Sequence, residues 1–217
     1  MTAAGVSELV RMWIDGWVVS RGASDPVAEP WGWTIDVGKA GHVARHVLPE
    51  PTGLQVGRLV AATGAPGTWL KLFADDDTAR SWVTPDWELA DPAYLMSCPL
   101  GAEQVRIPAG YVRTSWTRGN VVRVLIRTTD GHFAARGQLA VAGGVGVPDQ
   151  IETAPAHRRR GLGGVVMRTL QNAAHQAGAE TGVLVASSAG RALYTTLGWT
   201  ARSPMASLCY APPVAAG

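Results

Sequence analysis

Lysine is almost missing from this 217-residue chain: Lys39 and Lys71 are the only two. A P-loop must end in Gly-Lys-Ser/Thr, so that the lysine reaches the terminal phosphates; both lysines lie far from the glycine-rich turn near residue 161, which excludes that class of nucleotide binder. The dinucleotide fingerprint is missing too. The glycines there read G-x-G-G, and Glu180 lies 16 residues past Gly164 without the βαβ context that G-x-G-x-x-G requires. Cysteine is equally scarce. Cys98 and Cys209 form no spacing pattern, which rules out a disulfide framework and fits a reducing cytoplasm. No run approaches the roughly 18 apolar residues of a membrane span, and the first residues lack a basic start leading into an apolar signal core. Asp75-Asp76-Asp77 has no His or Cys nearby, so it reads as a solvated loop or helix start, and no metal is expected. With 47% hydrophobic and 17% charged residues the chain is globular rather than disordered. Its arginine-for-lysine bias matches a GC-rich bacterial genome.

What is present centres on Arg158-Arg159-Arg160-Gly161-Leu162-Gly163-Gly164. An extended segment, Gln150 to Thr153, precedes it, and an apolar-periodic helix follows. The first turn of a helix carries unsatisfied N–H groups and a partial positive charge, and small residues leave those donors uncovered. Such a turn receives an anion, and three arginines beside it add charge-assisted contacts to phosphate oxygens. A diphosphate is the expected guest. The bland alternative is a glycine-rich turn flanked by solvated arginines.

Leu162, Val165, Val166, Leu170, Ala173, Ala174 and Ala177 recur at spacings of three and four, which predicts a helix over 162–177 ended by Gly178. Thr181 to Ala186 reads as a short buried strand, Ser187-Ser188 as a cap, and 189–197 as a second helix closed by Gly198. Upstream, Tyr111–Thr117, Val121–Thr128, His132–Val141 and a strand ending at Thr153 form an antiparallel meander. Gly137 is a candidate bulge.

His157-Arg-Arg-Arg-Gly-Leu-Gly-Gly164, followed by Leu193-Tyr-Thr-Thr-Leu-Gly-Trp199 about thirty residues later, resembles the GNAT superfamily of acyl-CoA-dependent N-acyltransferases. The family's R/Q-x-x-G-x-G/A signature falls on Arg158, Gly161 and Gly163, and its second segment on Leu193 to Trp199, with Trp199 replacing the usual Phe. The match covers residues 130 to 205. The resemblance implies that amides of Arg159, Arg160, Gly161, Leu162, Gly163 and Gly164 hold the coenzyme pyrophosphate, with Arg158 flanking. It implies that Ile151, Glu152 and Thr153 lie on a splayed strand whose free backbone pairs with the pantetheine arm. Tyr194 takes the place of the general acid that protonates the departing thiolate, the alternative being a packed tyrosine whose hydroxyl meets the backbone. Ser187 stands where many members carry an Asn toward the cofactor arm. Asp149 and Glu152 are the carboxylates near the splay; three apart on a strand, they point to opposite faces, so at most one faces the substrate. Glu152 is the candidate base, a solvated edge carboxylate the alternative.

The implied fold is α/β (α+β): a mixed, mostly antiparallel sheet flanked by helices, with a smaller N-terminal α/β lobe. The family's two helices between its first and second strands cannot fit in residues 118–120, so the acceptor lid has to come from the first hundred residues. There a helix over 5–19, a hairpin over 33–48, a helix over 54–62, a strand over 68–73 and a short helix over 76–82 repeat the same order in shrunken form. This reads as a degenerate GNAT half over 1–100, a catalytic domain over 101–211 and a mobile tail over 212–217; a plain α+β substrate lobe is the alternative.

Charge divides along the same line. Through residue 103 there are 7 Lys+Arg and 13 Asp+Glu; beyond it, 12 and 4. A basic half suits a polyanionic coenzyme, and an acidic half suits a cationic amine. Seven of nine tryptophans lie in the first half; most read as core, whereas Trp31 and Trp33 are candidates for an aromatic acceptor pocket. The expected activity is transfer of acetyl from acetyl-CoA to a primary amine, small-molecule or peptide, in a ternary complex. A non-catalytic acyl-CoA binder and a transferase of longer acyl chains are the alternatives. No nucleic-acid or membrane partner is expected, and a homodimer is compatible with the sequence.

Overall fold

Residues 5–213 are described in the computed structural model, and tail residues 214–217 lie outside them. The chain opens with helix α1 (Val6–Arg21), whose Leu9, Val10, Trp13, Ile14 and Trp17 form one buried stripe and whose end is an αL glycine, Gly22. Strands β1 (Val27–Glu29), β2 (Gly32–Lys39) and β3 (His42–Leu48) follow as antiparallel neighbours. Helix α2 (Gly53–Ala62) starts at a reciprocal capping box between Thr52 and Gln55, then leads to β4 (Thr68–Leu72), parallel to β3. Helix α3 (Asp76–Arg80) is capped by the Asp75 carboxylate accepting from the Thr78 amide, the helix-start reading of the acidic triplet.

Strands β5 (Trp87–Leu89) and β6 (Ala93–Pro99) were not apparent in the sequence. Leu95 packs with α1 on one face, and Met96 and Cys98 pack into the core on the other. A strand buried on both faces shows no polar alternation, which hides it from a period-two reading.

The expected meander forms β7 (Tyr111–Arg118), β8 (Val121–Thr128), β9 (Phe133–Ala142) and β10 (Val145–Thr153). After a 3₁₀ turn at Pro155–His157 come α4 (Leu162–Gln176), β11 (Thr181–Ser187), α5 (Ser188–Thr196) and β12 (Thr200–Tyr210). The sheet runs β1-β2-β3-β4-β12-β6-β11-β10-β9-β8-β7, with β5 also pairing β12. The halves interleave: β6 lies between β11 and β12, while β12 pairs with β6 through Met205 and then with β4 from Ala206. One cluster, on the α4 and α5 side, joins Leu162, Val166, Met167 and Leu170 to Val124, Ile126 and Leu139; a second gathers under α1, and a third joins Val56 of α2 to Leu48, Leu70, Leu72 and Trp87.

The expected bulge sits one strand over. Gly137 pairs regularly with Val124 on β8, and the irregularity lies on β10 between Asp149 and Glu152. Gln150 there takes φ 54°, rare for a side-chain-bearing residue.

Candidate active site

The parallel pair β10 and β11 stays together for only two registers, Val145 with Thr181 and Gly146 with Gly182. Beyond them the strands diverge. β11 continues on β6 as far as Ser187, and β10 continues on β9 as far as Thr153, so the edges between them face a gap. A cavity of about 320 Å³ fills it, lined by Pro148 to Ile151 from β10, Leu184 to Ser187 from β11, and Tyr194 from α5. The bulge leaves Gln150 and Ile151 outside the β9 ladder at this point.

α4 begins just past the end of β10. Arg159 (φ 62°) and Gly161 (φ 78°) are both left-handed, a conformation glycine adopts without strain and arginine does not. Gly161 supplies no capping side chain, so the first-turn amides of Leu162, Gly163 and Gly164 keep their donors free of a side-chain cap. The side chains of Arg158, Arg159 and Arg160 are exposed around this turn. Gly163 plays a different part from its neighbours: a Cβ there would come 2.8 Å from Leu193 Cδ2, so its smallness serves α4–α5 packing rather than approach of an anion.

Tyr194 is 7% exposed and lines the cavity, its ring 6.2 Å from that of Trp199. Among the described residues, no backbone group hydrogen-bonds its hydroxyl. Burial, with a smaller contribution from the Asp149 charge, pushes its pKa up to about 12. Ser187 also lines the cavity, but its hydroxyl accepts from the Gly190 amide at 3.2 Å and caps α5.

Of the two carboxylates, Asp149 is the one that lines the cavity. Arg21 Nη2 donates to its Oδ1 at 2.8 Å, and Ser20 Oγ donates to its Oδ2 at 2.9 Å. Glu152 does not line it: the side chain is half exposed and accepts from Arg136 Nε at 2.8 Å on the neighbouring strand. The two aromatic candidates are also elsewhere. Trp31 lines a separate cavity of about 450 Å³ with His46, their rings 5.3 Å apart, and Trp33 packs against the core under α1.

The wall opposite Tyr194 comes from residues that the sequence did not single out for the site. Trp13, Trp17 and Arg21 from α1, Arg45 from β3 and Lys71 from β4 all line the cavity. The N-terminal helix thus supplies three of these five wall residues. Arg45 is 5% exposed and stacks 3.5 Å over the Trp17 ring, and Lys71 is 9% exposed, 4.2 Å from the Trp69 ring centre. Burial, with a smaller contribution from the nearby Arg45 charge, lowers the Lys71 ammonium to about 7. A lone lysine inside the apolar run Trp69-Leu70-Lys71-Leu72-Phe73 was the available signal.

Residues 139–207 match the model of the FR47-like protein family. Among solved structures, a GCN5-related N-acetyltransferase from Kribbella flavida superimposes with a TM-score of 0.68 at 21% identity, covering 98% of this chain and 97% of that one. A GNAT-family acetyltransferase from Novosphingobium aromaticivorans gives 0.58 at 18%, covering 94% and 97%. A tandem GNAT protein of the clavulanic acid pathway gives 0.50 at 9%, covering 67% and 65%. No curated protein matches the chain. The fold is that of the GCN5-related N-acetyltransferases, and the resemblance to that superfamily drawn from Arg158–Gly164 and Leu193–Trp199 is borne out. No helix among the described residues is long and apolar enough to cross a membrane.

Proposed function

We infer that this protein moves an acetyl group from acetyl-CoA to a primary amine. The observation that carries the reading is the parting of β10 and β11 into a gap lined by Tyr194, with the uncapped start of α4 following β10 in the chain. An extended pantetheine arm fits the gap as an added strand along Ile151, Glu152 and Thr153, and the amides of 159–164 with Arg158 receive the pyrophosphate.

The chemistry assigned to the residues is simple. The ammonium of the acceptor first loses its excess proton, and Asp149 is the carboxylate lining the cavity that relays it to solvent. The amine nitrogen then adds to the thioester carbon, whose oxygen is stabilised by a β10 amide released from the β9 ladder by the bulge. The C–S bond breaks as the amide forms, the sulfur takes a proton from Tyr194, and the nitrogen's remaining extra proton restores the tyrosine through the cavity. Tyr194 is fully protonated at neutral pH and serves first as a hydrogen-bond donor to the developing thiolate.

The N-terminal half is assigned as a degenerate second lobe. β3–α2–β4 repeats the parallel strand–helix–strand of β10–α4–β11, but β3 and β4 stay paired over five registers and a capping box replaces the glycine turn, so no second coenzyme gap opens. Cys98 and Cys209 are free thiols, in keeping with a cytoplasmic protein.

The test is thiol release from acetyl-CoA over a panel of amines spanning amino acids, polyamines, aminoglycosides and peptides. Turnover on one class supports the assignment. Coenzyme binding with no turnover on any class replaces it with the non-catalytic binder.

A further inference from the structure

The sequence assigned a cationic amine to an acidic N-terminal half, yet the part of that half facing the thioester position is cationic. Arg21, Arg45 and Lys71 line the cavity against one carboxylate, Asp149. That carboxylate is already engaged by Arg21 and Ser20. Arg45 has only a neutral partner: its Nε and Nη2 lie 3.2 and 3.0 Å from His42 Nε2, and burial together with the Arg45 charge holds His42 down at about 3, so the imidazole is uncharged. Among the described residues, no ion pair reaches Arg45 or Lys71. Both are more than nine-tenths buried, and both line the cavity.

Both groups are costly to hold as cations: Asp149 only partly offsets the burial of Arg45, and burial brings Lys71 to the edge of losing its proton near pH 7. Proteins keep such groups where an anion arrives with a ligand. The coenzyme's own phosphates are assigned to the start of α4, none of whose residues lines this cavity. The remaining anion is one carried by the acceptor.

We propose that the acceptor is a small amino acid, its carboxylate held between Arg45 and Lys71 and its amine directed at the thioester beside Tyr194. The proposal rests on the acetyl-transfer reading above and names its substrate class. Size agrees with it: about 320 Å³ sits at the low end of ligand pockets, which run roughly from 300 to 1,000 Å³, and must also hold the acyl end of the coenzyme. The walls agree too. Trp13 and Trp17 from α1, with Leu184 and Met205, give an aliphatic or aromatic side chain an apolar surface, whereas a polyamine would set more positive charge against Arg21, Arg45 and Lys71. Aminoglycosides and polyamines are thereby disfavoured as acceptors.

The experiment uses the full chain and four probes: glycine, leucine, phenylalanine and glutamate, each beside its carboxamide. Initial rates of thiol release are read at fixed acetyl-CoA, and binding of each pair in the presence of CoA is measured by calorimetry. The proposal expects at least one acid to exceed its carboxamide tenfold or more in kcat/KM. It also expects Lys71→Met to raise KM for that acid at least tenfold, with KM for acetyl-CoA unchanged, and Lys71→Arg to recover most of the loss. Arg45→Met serves as the second variant should Lys71→Met fold poorly. Turnover of carboxamides or polyamines in preference to the acids overturns the proposal while leaving acetyl transfer intact. A fall in kcat at unchanged KM in Lys71→Met also overturns it, because the lysine would then act on a proton and not on the carboxylate. Acid-selective binding without turnover supports the carboxylate site and counts against the acetyl-transfer reading instead.

Discussion

Gly137 on β9 has no room for a side chain because Ile151 occupies it: a Cβ built on Gly137 would sit 2.5 Å from Ile151 Cδ1 and 2.6 Å from Val166 Cγ1. Ile151 is one of the two residues that the β10 bulge displaces from register. The glycine, the bulge and the helix behind them are therefore one arrangement, and it shapes the stretch of β10 that borders the gap.

Gly137→Ala tests that arrangement. Overpacking of this kind costs about 1–3 kcal/mol, so the variant should melt earlier and show a lower rate of thiol release. Thermal denaturation with an unchanged midpoint and a wild-type rate would show that the bulge tolerates the methyl and that the packing does not set the gap.

A second substitution separates two kinds of glycine in the same turn. Gly163→Ala meets the flexible end of Leu193, so stability should fall by at most about 1 kcal/mol while coenzyme affinity by calorimetry stays within about threefold. Arg158→Ala removes a charge-assisted contact to the pyrophosphate and should weaken affinity roughly tenfold or more, most clearly at low salt. The reverse pattern would place Gly163, and not the arginine, against the phosphates.

Tyr194→Phe should reduce kcat by about a hundredfold or more, the usual weight of a positioned proton donor, with little effect on coenzyme affinity. Because burial holds the phenol protonated to about 12, the wild-type rate should show no alkaline descent from this group below pH 10. A wild-type kcat in the variant removes Tyr194 from the chemistry.

Lys71 makes a prediction about stability. Its pKa is lowered from 10.5 when unfolded to about 7 when folded, so between these values the unfolded chain binds the extra proton and stability rises with pH. Below about pH 7 both states are charged, and the cost of burying the cation is fully present. Cys98 and Tyr194 act in the opposite sense. Their folded pKa values, both raised to about 12, make stability fall with pH above their ordinary values of 9 and 10, so the window that isolates Lys71 is pH 7–9. There, urea denaturation of the free protein should show stability rising by at most about 1.4 kcal/mol per pH unit, and Lys71→Met should flatten the rise. An equal slope in the variant would mean that Lys71 is already hydrated or paired.

The C-terminal half was legible because its signals are local. Gly178 and Gly198 end helices, Ser187 caps one, and apolar residues at spacings of three and four mark α4. The residues proposed to hold the coenzyme came with them, since Arg158–Gly164 and Tyr194 lie in or beside those same elements. The opposite wall of the cavity, proposed for the acceptor, is built across long sequence distances: Trp17 on α1, Arg45 on β3 and Lys71 on β4 meet Asp149 and Tyr194 only because β12 and β6 interleave the two halves. No local pattern encodes that exchange. Glu152 was favoured over Asp149 on the expectation that they face opposite ways; the bulge at Gln150, invisible in the sequence, puts both on the face of Gln138 and Arg136, with Asp149 at the cavity and Glu152 farther along, held by Arg136.

The most direct measurement is a crystal structure grown in saturating coenzyme A. The account predicts pyrophosphate oxygens within hydrogen-bonding distance of the amides of 159–164, and a pantetheine arm lying between β10 and β11 with its sulfur near Tyr194. A clear map with nothing in that gap, or the coenzyme seated against the Trp31 cavity, would contradict it.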